Sequence, residues 1–484
     1  MHQTLELTPP TKAAPAGNSP VRHPAPATGG ADWRASLRRH PDKRLIIDQM
    51  IAAIDRLLTA QVNAILHHPR FQQLEASWRG LLQLVETAAS ARAVKIRMLD
   101  VAWRELARDL ERSIEFDQSQ LFAKVYNEEF GTPGGEPFGL LIGDYYVRHN
   151  RSADHPTDDV GTLKSIAAVA AAAFCPFVTS CSPALFGLDS FSDMGGTADL
   201  SRSFDGPDFI RWRALRDADD ARFVGLALPR ILMRRPYGHD PSRVDGFRFA
   251  EHAGRPGARD YLWGNAAFAF ATVAMRAYHH YGWFADIRGA PEEMDTGGVV
   301  MDFPGHAFPS FGHSGPTAAP LEVYLSDTQE KQLSEMGMVP LSRVGYLDAC
   351  VFYSTQSLHN AKTYDRATAT SNARLSAMLQ YVLCASRFAH YIKLIGRDKI
   401  GSFATASDFE DHLRNWLRSY CLGNDDAATA FKARYPLREA EVQVRDIAGR
   451  PGAFGCVIHL KPHFQLDDIQ TSFRLVTELV GPQA

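Results

Sequence analysis

No cysteine pair in this chain has the spacing of a redox or zinc motif. The six cysteines, at 175, 181, 350, 384, 421 and 456, include no C-x-x-C. A chain of 484 residues builds a core large enough to need no disulfide staples. They are expected to be reduced and mostly buried. Long apolar runs are missing too. The longest, IAAVAAAAFCPFVTS at 166–180, is too short to span a bilayer and contains Pro176. Residues 1–30 lack the basic start and apolar stretch of a secretory signal. The expectation is a cytoplasmic chain with no membrane insertion. Net charge is only −3, so there is no overall drive toward nucleic acid or anionic lipid.

Catalytic signatures are equally scarce. The glycine-rich stretch GTPGGEPFG at 131–139 has no Gly-Lys-Ser/Thr ending, so it cannot close around a phosphate as a Walker A loop does. There is no G-x-G-x-x-G loop, no H-E-x-x-H and no G-x-S-x-G elbow. Of 18 histidines, the pair His459 and His463 is four apart, but it straddles Pro462 on strand-like sequence. Asp217, Asp219 and Asp220 form an acidic cluster that reads as a solvated turn. Cys175 and Cys181 lie among small and aromatic residues, which points to packing. No acid, base and nucleophile set emerges, and no enzyme, cofactor or metal site is expected.

What is present is ordinary in bulk and patterned in detail. Apolar residues make up 45% and charged residues 22%, as in a globular protein of two or three domains. Arginine far outnumbers lysine, a bias that suits interfaces. Residues 1–32 are rich in Pro, Ala and Gly and read as a flexible arm. From about Asp42, apolar residues recur at helical spacing to Leu66. His67-His68-Pro69 breaks the pattern, and FQQLEASWRGLLQLVETA at 71–88 resumes it. This predicts a helical pair over 33–90, with Phe71, Leu74, Trp78 and Leu81 on the packing face. Glu75 and Arg79 form an i,i+4 pair.

A mixed region follows over 91–365. RAVKIRMLD at 92–100 alternates like a half-buried strand. Further strands are expected in GLLIGDYYV, at Phe177–Cys181, in FVGLALPRILM, in LEVYLSD and in LDACVFYSTQS, with Ala-rich and aromatic helices between them. Residues 288–320 read as a long surface loop. The last region, 366–484, is expected to carry long helices at 368–396 and 407–422 and two C-terminal strands within 455–479. The fold class is α/β, mixed α+β.

Several blocks then resemble one family in the right order: IDRLLTAQVNAILHHPRFQQLEASWRGL, PFGLLIGDYY, PFVTSCSPALFG, RFVGLALPRILMRRPYG, YLWGNAAFAFA and KPHFQLDDIQTSFRLVTEL. The chain resembles the large subunit of the type VI secretion contractile sheath, the TssC/VipB/ImpC/EvpB family, over roughly residues 45–480. The resemblance implies a structural, multi-domain protein with an inner-wall domain resembling that of phage tail sheaths. Its implied partners are the small sheath subunit (TssB/VipA), further copies in a helical lattice, the Hcp inner tube and the baseplate. The C-terminal strands would belong to an inner-wall sheet completed by neighbours.

Family members also carry an N-terminal helix recognised by the ClpV ATPase. The six prolines at 9, 10, 15, 20, 24 and 26 exclude a long helix in 1–32, so ClpV recognition is not expected there. The alternative implied is a divergent, non-polymerising paralogue acting as an interaction or baseplate-associated protein. The residues singled out for assembly are Phe71, Leu74, Trp78, Arg79, Trp263, Phe464, Phe473 and Leu475.

Overall fold

A computed structural model describes residues 43–90, 94–132, 134–196, 199–238, 242, 247, 249–253, 259–291, 296–301, 303–306, 309–310, 313–314, 319–345, 349–399, 405–424, 428–446, 454–463 and 473–479. The chain divides into two units, Met1–Val62 with His239–Phe249, and Asn63–Gly238 with Ala250–Ala484. In the first, the described structure is mainly the leading part of helix α1 (Lys43–Leu66). No residue of α1 is buried; Ile51, Ile54 and Leu57 are exposed.

The second unit is built on a four-stranded parallel sheet. Strands β1 (Leu141–Val147), β2 (Phe177–Cys181), β3 (Val224–Leu228) and β7 (Val339–Pro340) pair in that order. Both faces are covered, which is why FVTSC and VGLAL are apolar or small throughout and buried at every position. Side chains alternate across the strands. Phe177, Val224, Leu226 and Leu228 meet Val160, Leu163 and Ile166 of helix α4 (Asp159–Ala173). Val178 and Ala227 face the other way and share a core with Ala267, Phe270 and Ala274 of helix α5 (Ala266–Tyr281). Asn265 caps α5 by accepting from the Ala267 amide at 2.8 Å. Its amide nitrogen donates to the carbonyls of Gly143 and Tyr145, where β1 bulges.

Two small pairings flank this sheet. Strands β4 (Ile231–Arg234) and β5 (Leu262–Gly264) are antiparallel. Strands β6 (Val299–Val300) and β8 (Ser342–Arg343) each pair with β9 (Cys350–Val351). Helices α2 (Pro69–Ser90), α3 (Trp103–Arg112) and α6 (Asp327–Glu335) complete the central region.

The C-terminal region is an antiparallel meander of β10 (Leu437–Asp446), β11 (Phe454–Pro462) and β12 (Phe473–Leu479). Helices α7 (Ala367–Ser376), α8 (Leu379–Lys399) and α9 (Ala406–Arg418) precede it. Phe409, Leu413 and Leu417 of α9 pack with Val442, Val444, Cys456, Ile458 and Leu460. Helix α8 belongs to two cores: Leu379 and Leu383 join the central one, Phe388 and Ile392 the C-terminal one. It is also fastened to the end of α4, where His390 Nε2 lies 2.9 Å from the Ala173 carbonyl. The Lys393 ammonium lies over the rings of Tyr126, Phe130 and Phe174. Burial pushes His390 down to about 4 and Lys393 down to about 8.

Several expectations need correction. The expected single helix over 368–396 is broken at Ala377 and Met378, where Met378 bridges to Gln356. LEVYLSD forms only a bridge at Leu321, and the described part of LDACVFYSTQS holds the two-residue strand β9 and the bridge at Gln356. The stretch 288–320 includes the buried strand β6. Strand β10 was not foreseen, although Ala440, Val442 and Val444 alternate with Glu439, Glu441 and Gln443. Residues 94–100, expected as a strand, join no sheet. Five cysteines are buried and Cys421 is half-buried, and all six are free thiols.

Candidate assembly surfaces

Helix α2 starts where the chain can restart after His67 and His68. Pro69 lacks the amide that a first-turn residue leaves unpaired anyway. At roughly 100° per residue, Ala76, Gly80 and Leu84 fall on one side, and Phe71, Leu74, Trp78, Leu82 and Val85 on the opposite side. The structure buries the first set in the central core. Gly80 allows this by its lack of a side chain: a Cβ there would overlap the Phe268 ring of α5.

The second set is left in solvent. Trp78 is 58% exposed, Leu74 56% and Leu82 52%, and Phe71 and Val85 are exposed as well. The sequence leaves open whether the Trp78 face closes within the subunit or onto a partner; within this chain it is not covered. The physical reason is backbone proximity: only the small-residue face lets α2 approach α5 closely. Leu81 is half-buried.

Polar contacts fix the rotation of α2. Ser77 donates to the Asp144 carboxylate on β1. Burial pushes the Asp144 carboxyl up, against the hydrogen bonds from Ser77 and Asn265. Arg79 Nε lies 2.8 Å from Glu75, and its Nη2 lies 3.3 Å from the Tyr237 hydroxyl. Glu75 also receives Arg234 Nε at 2.8 Å. Arg234 in turn binds Glu251 through both terminal nitrogens and stacks over the Tyr237 ring at 4.2 Å. His67 Nε2 closes the network on Glu251 at 3.2 Å. Burial opposes ionisation of Glu251. Hydrogen bonds from Arg234 and the Tyr237 amide, with the Arg234 charge, outweigh it and hold the carboxyl below its ordinary value.

The other residues singled out from the sequence fall elsewhere. Trp263 lies on β5 and is buried against Leu232 and Tyr261 within this chain. Phe473 and Leu475 are on β12, in register with Leu460 and Ile458. Phe464 lies outside the described residues. In β11, Cys456, Ile458 and Leu460 are buried and His459 faces opposite, the parity expected from the sequence. The meander has β10 and β12 as its outer strands. An unclosed sheet of this kind is a template for strands from other chains. Among the described residues, no helix is long and apolar enough to cross a membrane.

Comparison with known proteins places the chain in a family. The VipB family model (EvpB/VC_A0108, tail sheath N-terminal domain) matches residues 48–359. The tail sheath gpW/gp25-like domain of the same family matches residues 368–479. A relative from Pseudomonas aeruginosa, the type VI secretion system sheath protein TssC1, is 39% identical over 436 residues. That alignment covers 90% of this chain and 86% of the relative. The chain belongs to the TssC/VipB family, the structural proteins that form the large subunit of the type VI secretion sheath.

Proposed function

We propose that this chain works in the cytoplasm, paired with the small sheath subunit, as the repeating unit of a helical tube around an Hcp inner tube. Contraction of that tube, anchored on a baseplate, would drive the inner tube outward. The observation that carries the reading is the α2 stripe. Five large apolar side chains from Phe71 to Val85 are exposed on one helix face while the opposite face is packed tightly. Such a ridge costs solubility in a monomer and is expected where a partner covers it. The outer strands of the C-terminal meander support the same reading, because backbone hydrogen bonds along a sheet edge can tether subunits that slide and rotate. Expectations about ClpV rest on residues 1–32, outside the described residues.

The test is co-expression of the full chain with its small subunit, followed by negative-stain microscopy. Tubules with cogwheel cross-sections are expected. A soluble complex that never polymerises would favour the non-polymerising paralogue instead.

A further inference from the structure

Val94–Asp100 has the pattern of a strand without a sheet. Val94 and Ile96 are half-buried and Lys95 and Arg97 are exposed, the period-two alternation of extended backbone. The segment contains no turn or bend. Ile96 packs against the central core. Lys95 and Arg97 are held by the chain's own carboxylates, Glu136 and Glu129, so the outward side presents paired charges. Met98 and Leu99, 64% and 51% exposed, continue the segment into solvent. Yet among the described residues, none of 94–100 makes a backbone hydrogen bond. Seven consecutive residues thus leave every amide and carbonyl unpaired, on a segment anchored by its side chains.

We propose that Val94–Asp100 is one half of an intermolecular β-ladder, and that an extended segment of the small sheath subunit pairs with it. This rests on the functional reading above. The choice of occupant follows from what stands next to it. Helix α2 with its exposed stripe ends at Ser90, just before this segment, so one stretch of about thirty residues carries both an uncovered apolar ridge and an uncovered backbone. A lattice neighbour arrives only on polymerisation. The permanent partner is the chain available to cover this stretch from synthesis onward, which is what an aggregation-prone edge requires. Backbone pairing would supply affinity, and the Met98 and Leu99 side chains would supply register.

Hydrogen–deuterium exchange on the co-purified complex, read on peptides spanning 94–100, tests this together with two proline variants. Lys95→Pro and Met98→Pro each remove one amide, at positions of opposite strand parity. Proline also keeps its predecessor extended. Lys95→Ala controls for the lost charge. Amide protection in the complex is expected. One proline should weaken association by about tenfold or more while the other and the alanine control are tolerated.

Free exchange of these amides within an intact complex, or tolerance of both prolines, would overturn the ladder and leave the functional reading standing. Equal protection in the chain purified alone would overturn it as well, pointing to a second copy. Failure to form any complex would remove the functional reading and this inference together.

Discussion

Gly80 sits where α2 and α5 come closest, and two opposing effects decide what a methyl group there would do. Alanine favours a helix over glycine by about 1 kcal/mol. Overpacking a tight core costs about 1–3 kcal/mol. The new Cβ would overlap not only the ring edge of Phe268 but also its Cγ, which cannot swing clear, and Phe268 is itself buried. Overpacking therefore wins, and Gly80→Ala should destabilise the purified complex by about 1–2 kcal/mol, seen as a lowered thermal midpoint. An unchanged or raised midpoint would mean that α2 is held less closely than the structure has it.

Arg234 is the other residue on which much converges. Its side chain is 6% exposed and binds Glu75 and the nearly inaccessible Glu251. Removing it leaves the buried Glu251 without its guanidinium, while the half-buried Glu75 keeps Arg79, so Arg234→Met should cost about 3 kcal/mol at neutral pH. The pH dependence has a definite sign. Glu251 titrates below its ordinary value in the folded chain. Its contribution to stability is thus fully present above about pH 4.3, the ordinary glutamate value, and is lost as pH falls through the lowered folded one. In the Met variant the hydrogen bonds and charge of Arg234 are gone, while burial still opposes ionisation of Glu251 and the Tyr237 amide and His67 still favour it, so the Glu251 pKa moves up from its wild-type position. Mild acidification should therefore narrow the stability gap between wild type and variant, which thermal unfolding at several pH values measures.

At the scale of elements, α2 shows how much of a functional surface is legible in a sequence. Its helical period, the break at His67-His68-Pro69 before it and its apolar stripe are readable. The direction of the stripe is not. Periodicity says that large apolar residues share a face, and the usual inference turns that face inward. Here the inward face is Ala76, Gly80 and Leu84, which carries little hydrophobic signal because its role is close approach. A stripe that belongs to another chain looks identical, in one sequence, to a stripe that belongs to the core.

The same reason applies to 94–100, which alternates like a strand and has no ladder partner among the described residues. Parallel strands such as β2 and β3 were legible because burial on both faces leaves an unbroken apolar run. Strand β10 is hard to read because its charged positions, between Ala440, Val442 and Val444, resemble a solvated segment. Trp263, an aromatic in a family block, gives no sign in the sequence of which way it faces, and the structure buries it against Leu232 and Tyr261. The prediction for α2 follows from its exposure. Leu74→Ala and Trp78→Ala should each change the chain's own stability by no more than about 0.5 kcal/mol. At least one should weaken binding to the small subunit by about 2 kcal/mol or more, measured by titration or by recovery in co-purification.

At the scale of the whole molecule, the uncovered elements are the reason to read this chain as part of an assembly. The central parallel sheet is closed on both faces by α4 and α5, and α8 ties the second unit's central and C-terminal cores together. Among the described residues of the second unit, the α2 ridge, the segment 94–100 and the outer strands of the meander are open. The central claim is that the α2 ridge is an assembly surface. It is tested most directly by co-expressing the small subunit with either the wild-type chain or a Leu74→Glu, Trp78→Glu double variant and imaging both by negative stain. The account predicts tubules from the wild type and none from the variant, whose own fold stays intact by circular dichroism. Tubules of normal length from the double variant would contradict it.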